Sequence, residues 1–189
     1  MIDLSQAFEK IYASHDRTIG RYYASEIWAI ANHYVRPENF FEKKPPTIIQ
    51  ATGIWKHQMV QECLKLMSYE IEPKKEKQFG EWIFVGKADA IKDHEGLEIK
   101  TTNSLSVMSH AKPWHIYQAR ILASLFEIPS WFVVQPIVSY GKLQLKAISK
   151  IKRDDEWFTE EMQKVEEFHK KLKVLPQWQR ASYLMDMVG

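Results

Sequence analysis

The chain is 189 residues long, 45% hydrophobic and 26% charged, the balance of a soluble globular domain with enough length to bury one core. Its 26 Lys and Arg against 24 Asp and Glu leave +2, too near neutrality for net charge to argue for nucleic acid or membrane, so any basic surface must be local. A single cysteine, Cys63, excludes a disulfide framework, a four-cysteine zinc site and a cysteine-ligated iron–sulfur cluster, and it fits a reducing, cytoplasmic compartment. The opening residues lack the basic and apolar segments of a signal peptide. The most apolar stretch, Ile121 to Val138, is interrupted by Glu127, Pro129 and Gln135, so no membrane span is expected.

In chain order, helices are expected at Leu4 to Ala13 and at Ala24 to Tyr34, the second opening at Ser25 as N-cap. Pro37 to Thr47, with Lys43, Lys44, Pro45 and Pro46, reads as a surface loop rather than a domain boundary. Thr52 is expected to cap a helix reaching Met67. From Gln78 the composition turns to strand formers: Trp82 to Val85 lead through Gly86-Lys87-Ala88-Asp89 to Ile91, Lys92 to Gly96 turns, and Leu97 to Thr102 returns. Pro113 suits the first turn of a helix ending near Phe126, with Pro129 just beyond. Strands follow at Trp131 to Val138 and Lys142 to Ser149, and Asp154, Asp155 and Glu156 open a last helix to about Lys173. No linker or repeat divides this order, which describes a single α/β or α+β domain, a sheet with helices packed on it.

The hairpin carries the chemistry. A turn centred on Asp93 and His94 pairs Lys92 with Glu95 and, counting outward, Asp89 with Glu98. Like charges directly opposed are destabilising unless something compensates, and a divalent cation would. Strand alternation puts Lys100 on the face of Glu98 and turns Ile99 into apolar packing. Two carboxylates plus the Ile99 carbonyl form an oxygen donor set for Mg²⁺ or Mn²⁺ with room for water and a phosphate. The plain alternative is a hairpin with solvated charges.

Two polar residues sit on apolar stripes. His57, three residues before Val60 and seven before Leu64, is expected to face inward, either as a third metal ligand or as a core histidine bonded to a backbone carbonyl. Gly53, one turn earlier, permits close approach of another element. Gln118 lies among Trp114, Tyr117, Ile121, Leu122 and Leu125; it either supports the hairpin site or serves as an ordinary helix-end amide. His115, one turn before it by position, is a candidate phosphate contact or a solvated side chain.

The order His57, Asp89, Glu98-Ile99-Lys100 and Gln118 resembles the RecB-like exonuclease branch of the PD-(D/E)XK nuclease superfamily. Gly53 to His57 resembles its Gly-x-x-x-His helix, Gly86 to Asp89 its aspartate strand, Leu97 to Lys100 its Glu-x-Lys strand, and Tyr23 to Ile27 its serine-containing opening. The likeness spans about Tyr23 to Ser149. It implies a restriction-endonuclease-like α/β core, a mixed central sheet flanked by helices, and metal-dependent phosphodiester hydrolysis leaving a 5′-phosphate. His57, Asp89, Glu98 and the Ile99 carbonyl would be ligands, with Asp89, Glu98, Lys100 and Gln118 as catalytic residues. Two features depart from the pattern. Leu122 stands where the glutamine helix commonly continues to a tyrosine, and the four cysteines of some relatives are missing.

The expected substrate is DNA, single-stranded or with free ends, held by local basic residues: Arg17, Arg21, Lys43, Lys44, Lys74, Lys75 and His115. Trp28, Tyr34, Phe40, Phe41 and Trp55 interleave with these and serve either as core or as stacking surfaces for unpaired bases. The chain has no Gly-x-x-x-x-Gly-Lys-Ser/Thr phosphate loop, so unwinding would require a helicase or recombination partner, and oligomers are compatible with the sequence. The competing readings are a nuclease-like fold that binds DNA or a partner without cutting, and a metal-free domain in which His57 and Asp89 lie far apart.

Overall fold

The computed structural model describes residues 18–37, 40, 48–101 and 110–175. The expected helix at Leu4 to Ala13, most of the loop before Ile48 and the tail from Pro176 lie outside the described residues. Twelve elements follow one another: β1 (Arg21–Tyr23), α1 (Ala24–Ala31), α2 (Ile48–Leu66), β2 (Glu70–Ile71), β3 (Lys74–Phe79), β4 (Trp82–Lys87), β5 (Ala90–Lys92), β6 (Glu95–Ile99), α3 (Pro113–Phe126), β7 (Ser130–Ser139), β8 (Lys142–Lys152) and α4 (Asp155–Val174). No helix among the described residues is long and apolar enough to cross a membrane.

The strands form two mixed ladders, β1-β4-β3 and β2-β5-β6-β7-β8. In the first, β1 runs parallel to β4 and β3 antiparallel to it. In the second, β6 and β7 are parallel and the other pairs antiparallel. The strand expected to run unbroken from Trp82 to Ile91 is therefore cut at Ala88-Asp89, where the chain leaves one ladder for the other. Its partner strand makes the same crossing at Glu72-Pro73. The two crossings are tied by Ala88 N–H to the Pro73 carbonyl (3.0 Å) and Glu72 N–H to the Asp89 carbonyl (3.3 Å). Pro73, having no N–H, interrupts a ladder without leaving a donor unpaired.

Helix boundaries follow local chemistry. Tyr23, not Ser25, caps α1, and the Glu26 carboxylate accepts from the Tyr23 amide at 3.2 Å. Helix α2 begins at Ile48, which puts Thr52 inside it rather than at its start. Helix α3 has the expected limits, with Pro113 in its first turn and Glu127 in the left-handed region at its end. Asp154 caps α4 by accepting from the Trp157 amide at 3.0 Å.

Two cores result. The larger joins Tyr22, Ile27, Phe84, Leu122, Leu125, Trp131, Val133, Phe158 and Leu172, packing α1, α3 and α4 against both ladders. The smaller sets Val60 and Leu64 of α2 on Ala90, Leu97, Ile99 and Val134. The five-stranded sheet is thus covered on both faces. Glycines permit two close approaches: a Cβ on Gly86 would lie 2.2 Å from Leu125 Cδ2, and one on Gly96 would meet three Trp131 ring atoms at 2.3 to 2.5 Å. Trp131 is fully buried and has nowhere to swing. Gly96→Ala should therefore destabilise the fold by about 1–3 kcal/mol in urea melts, as overpacking does.

His169 lies in the larger core's wall, its Nδ1 2.8 Å from the Tyr22 hydroxyl and its buried Nε2 without a partner. Burial holds the imidazole below its ordinary value of 6.5, outweighing the attraction of Glu166. The unfolded chain then binds the proton more readily, so stability should be complete above pH 6.5 and fall as the pH drops toward the folded value. The double substitution Tyr22→Phe with His169→Phe removes both partners, and denaturant midpoints measured against pH should lose part of that slope.

Candidate active site

Strand β6 places its residues as alternation requires. Ile99 and Leu97 enter the smaller core, while Glu98 turns to the opposite face, where α3 lies. The register at the turn is the expected one, Lys92 opposite Glu95 and Ala90 opposite Leu97. There the ladder stops. Asp89 does not sit in a strand opposite Glu98; it occupies the bend between the ladders, and its Oδ2 accepts from the Ile99 amide at 2.6 Å. The corrected geometry still gathers the predicted side chains. The imidazole Nε2 of His57, from α2, is 3.3 Å from Asp89 Oδ1. Lys100 Nζ donates to Glu98 Oε1 at 2.5 Å and lies 3.4 Å from Gln118 Oε1.

Helix α2 is fixed here by two further contacts. Thr101 Oγ1 donates to the Gly53 carbonyl at 3.1 Å, and that oxygen would be 3.1 Å from a Cβ on Gly53. Gln61 Nε2, buried, donates to the Asp89 carbonyl at 3.2 Å. Sequence reasoning missed Gln61. Its signal was a second polar residue one turn after His57, on the stripe of Val60 and Leu64.

The electrostatics are those of a cluster short of positive charge. Glu98 is 1% exposed. Burial first, and then the nearby Asp89 charge, push its carboxyl well above the usual range, against the pull of Lys100. Its Oε2 is buried with no hydrogen-bond partner among the described residues. Burial also disfavours a charged His57, but the bond and charge of Asp89, with help from Glu98, outweigh it and raise the imidazole above its ordinary value. Among the described residues no group of three His, Cys, Asp or Glu stands ready-made at metal-ligand spacing. Here Glu98 Oε1 faces Lys100 and Asp89 Oδ1 faces His57. The orphaned carboxylate oxygen, a second acid close enough to raise its pKa, and a neighbouring imidazole nonetheless suit a hard divalent cation in chemistry.

The remaining predicted residues divide. Arg21 pairs with Glu76, Lys74 with Glu76 at 2.7 Å and Lys75 with Glu127 at 2.9 Å. All three belong to β1 and β3 of the other ladder, so their charges are already answered. Arg17, Lys43, Lys44 and Phe41 lie outside the described residues. His115 is half-buried with Nδ1 unpartnered, and burial, Lys100 and Lys112 lower its pKa to about 4; it is a neutral side chain at physiological pH. Phe40 is a core residue, whereas Trp55 and Trp114 are exposed. Leu122, in place of the tyrosine, is fully buried in the contact with Gly86, which makes that position part of the core.

No family model and no curated protein matches the chain. Solved structures do. An alkaline exonuclease, LHK-Exo, from Laribacter hongkongensis superposes with a TM-score of 0.60 at 14% identity, over 90% of this chain and 94% of that one. The same enzyme in complex with dAMP gives 0.57 over the same shares, again at 14% identity. The crystal structure of SSO0001 gives 0.58 at 18% identity, over 86% and 84%. At such identities the likeness is one of fold. That fold is the expected mixed α/β, restriction-endonuclease-like arrangement.

The Asp89 carboxylate is predicted to matter to stability apart from any chemistry. Asp89→Ala leaves the Ile99 amide without its acceptor and should cost about 1–3 kcal/mol in urea unfolding, while Asp89→Asn, which keeps a carbonyl oxygen there, should cost less.

Proposed function

We propose that the chain is a metal-dependent deoxyribonuclease, a single PD-(D/E)XK domain of RecB-like exonuclease type acting in the cytoplasm on DNA with free ends. The observation that carries this reading is the buried Glu98 carboxylate, with one oxygen on Lys100, the other unpartnered, and the Asp89–His57 pair beside it. A structural ion pair has no need of a second acid nearby, since that only raises the cost of burial. The fold of an alkaline exonuclease supports the same reading.

In this mechanism His57, Asp89, Glu98 and the Ile99 carbonyl would hold Mg²⁺ or Mn²⁺. Such an ion, when bound, neutralises phosphate charge and lowers the pKa of water. The protein's own groups do the rest. Lys100, positioned between Glu98 and Gln118, orients the attacking water or stabilises the charge that develops on the phosphate. Gln118 keeps the ammonium aimed at the reacting centre. The Asp89–Ile99 bond fixes the aspartate relative to β6, so that substrate meets a set geometry.

The test is release of nucleotides from single- and double-stranded DNA with Mg²⁺, with Mn²⁺ and with EDTA. Glu98→Ala and Lys100→Ala should each lower the rate by about 10²–10⁴-fold, and EDTA should abolish it. Cutting in EDTA, or wild-type rates in both variants, would overturn the mechanism. A binding measurement independent of cleavage is the thermal midpoint. Mn²⁺ at about a hundred times its dissociation constant should stabilise the wild type by about 2.7 kcal/mol and leave Glu98→Gln unmoved.

A further inference from the structure

Three aromatic rings stand in a row beside the cluster. Tyr34, just past α1, stacks on Trp28 with centroids 4.8 Å apart and planes 14° from parallel. Trp28 in turn meets Trp114, in the first turn of α3, at 5.6 Å and 53°. The Lys112 ammonium lies 5.0 Å above the Trp114 ring, and His115 closes the row edge-on at 5.6 Å. Rings of this size normally enter a core, as Tyr22, Phe40, Trp82 and Trp131 do. Here Tyr34 is 67% and Trp114 41% exposed.

The row leads to the acids and the lysine. Trp114 is four residues before Gln118, so the two leave the same face of α3 one turn apart, and Gln118 contacts Lys100. A cation stands at the Trp114 end of the row. Lys112 has no acidic partner among the described residues, and burial first, then the charges of Lys100 and Lys112, lower the pKa of His115. Exposed rings, Tyr34 stacked on Trp28 and Trp114 flanked by a cation, match a polyanion that carries flat rings of its own.

We propose that Tyr34, Trp28 and Trp114 form a stacking platform that grips unpaired bases of single-stranded DNA next to the Glu98–Lys100 cluster. The proposal rests on the nuclease reading and names its substrate class. The enzyme takes a strand whose base faces are open, so a duplex must fray before its end is held. Stacking on rings reads no base edge, which makes the grip tolerant of sequence. Trp28, held between the other two, sets their spacing, and Tyr34 and Trp114 carry the accessible faces.

Binding in EDTA separates this from catalysis. The probe is a fluorescein-labelled oligothymidylate of about a dozen nucleotides, with an abasic strand of equal length and a blunt hairpin duplex as comparisons. Wild type should bind the thymidylate about tenfold or more tightly than the abasic strand. Tyr34→Ala and Trp114→Ala should each remove most of that difference, Trp114→Phe should keep it, and binding of the duplex should change less than about twofold. Circular dichroism establishes that the variants are folded. Equal binding of thymidylate and abasic strands by wild type, or equal losses on single strand and duplex, would overturn the platform. Failure of the nuclease reading shows separately, as absent metal-dependent release of nucleotides while thymidylate binding persists.

Discussion

The hydrogen bond from the Ile99 amide to the Asp89 carboxylate, 2.6 Å long, ties the two ladders together where the chain passes between them. Asp89 lies in a bend with no strand to hold it. Its backbone carbonyl is fixed by Gln61 and Glu72, and its carboxylate by Ile99 on one oxygen and His57 on the other. Three elements thus converge on this one residue of the β4–β5 crossing: α2, the β2–β3 crossing and β6. That knot adds to the packing of Val60 and Leu64 on Leu97 and Ile99 in setting the helix that bears His57 against the strand that bears Glu98.

The same knot creates an electrostatic debt. It brings an ionisable acid close to Glu98, which is itself almost fully buried, and only Lys100 and His57 offset the charge. A core built for stability alone would place an apolar side chain at position 98, as β6 does at 97 and 99 on its other face. A buried acid, a nearby acid, an imidazole and an ammonium thus share one small region.

What the sequence made legible depended on range. The limits of α3 were readable because Pro113 and Pro129 act on their own neighbours. The β5–β6 register was readable because a two-residue turn at Asp93-His94 dictates it, and with it the opposite faces of Glu98 and Ile99. The break at Asp89 was not readable, since it depends on Pro73 and Ala88 meeting across fifteen positions of chain. Strand β3 was missed for another reason. Lys-Lys-Glu-Lys-Gln-Phe shows no buried face because most of the strand has none, and pattern reading needs one. Trp114 was misplaced on the apolar side of α3 because periodicity assigns a face without saying whether anything covers it.

Strand β3 has a further meaning. Among the described residues it is an outer strand of the three-stranded ladder, and an outer strand of six extended residues is a template on which a foreign or sister chain can polymerise. Here four of those six residues are Lys or Glu, three of them Lys, with Glu76 paired to Arg21 and Lys74, and Lys75 to Glu127. A second β3 laid alongside would bring like charges together. The lysines that look from sequence like a grip for nucleic acid therefore also serve as a fence, keeping the molecule from fibrillising along its own border.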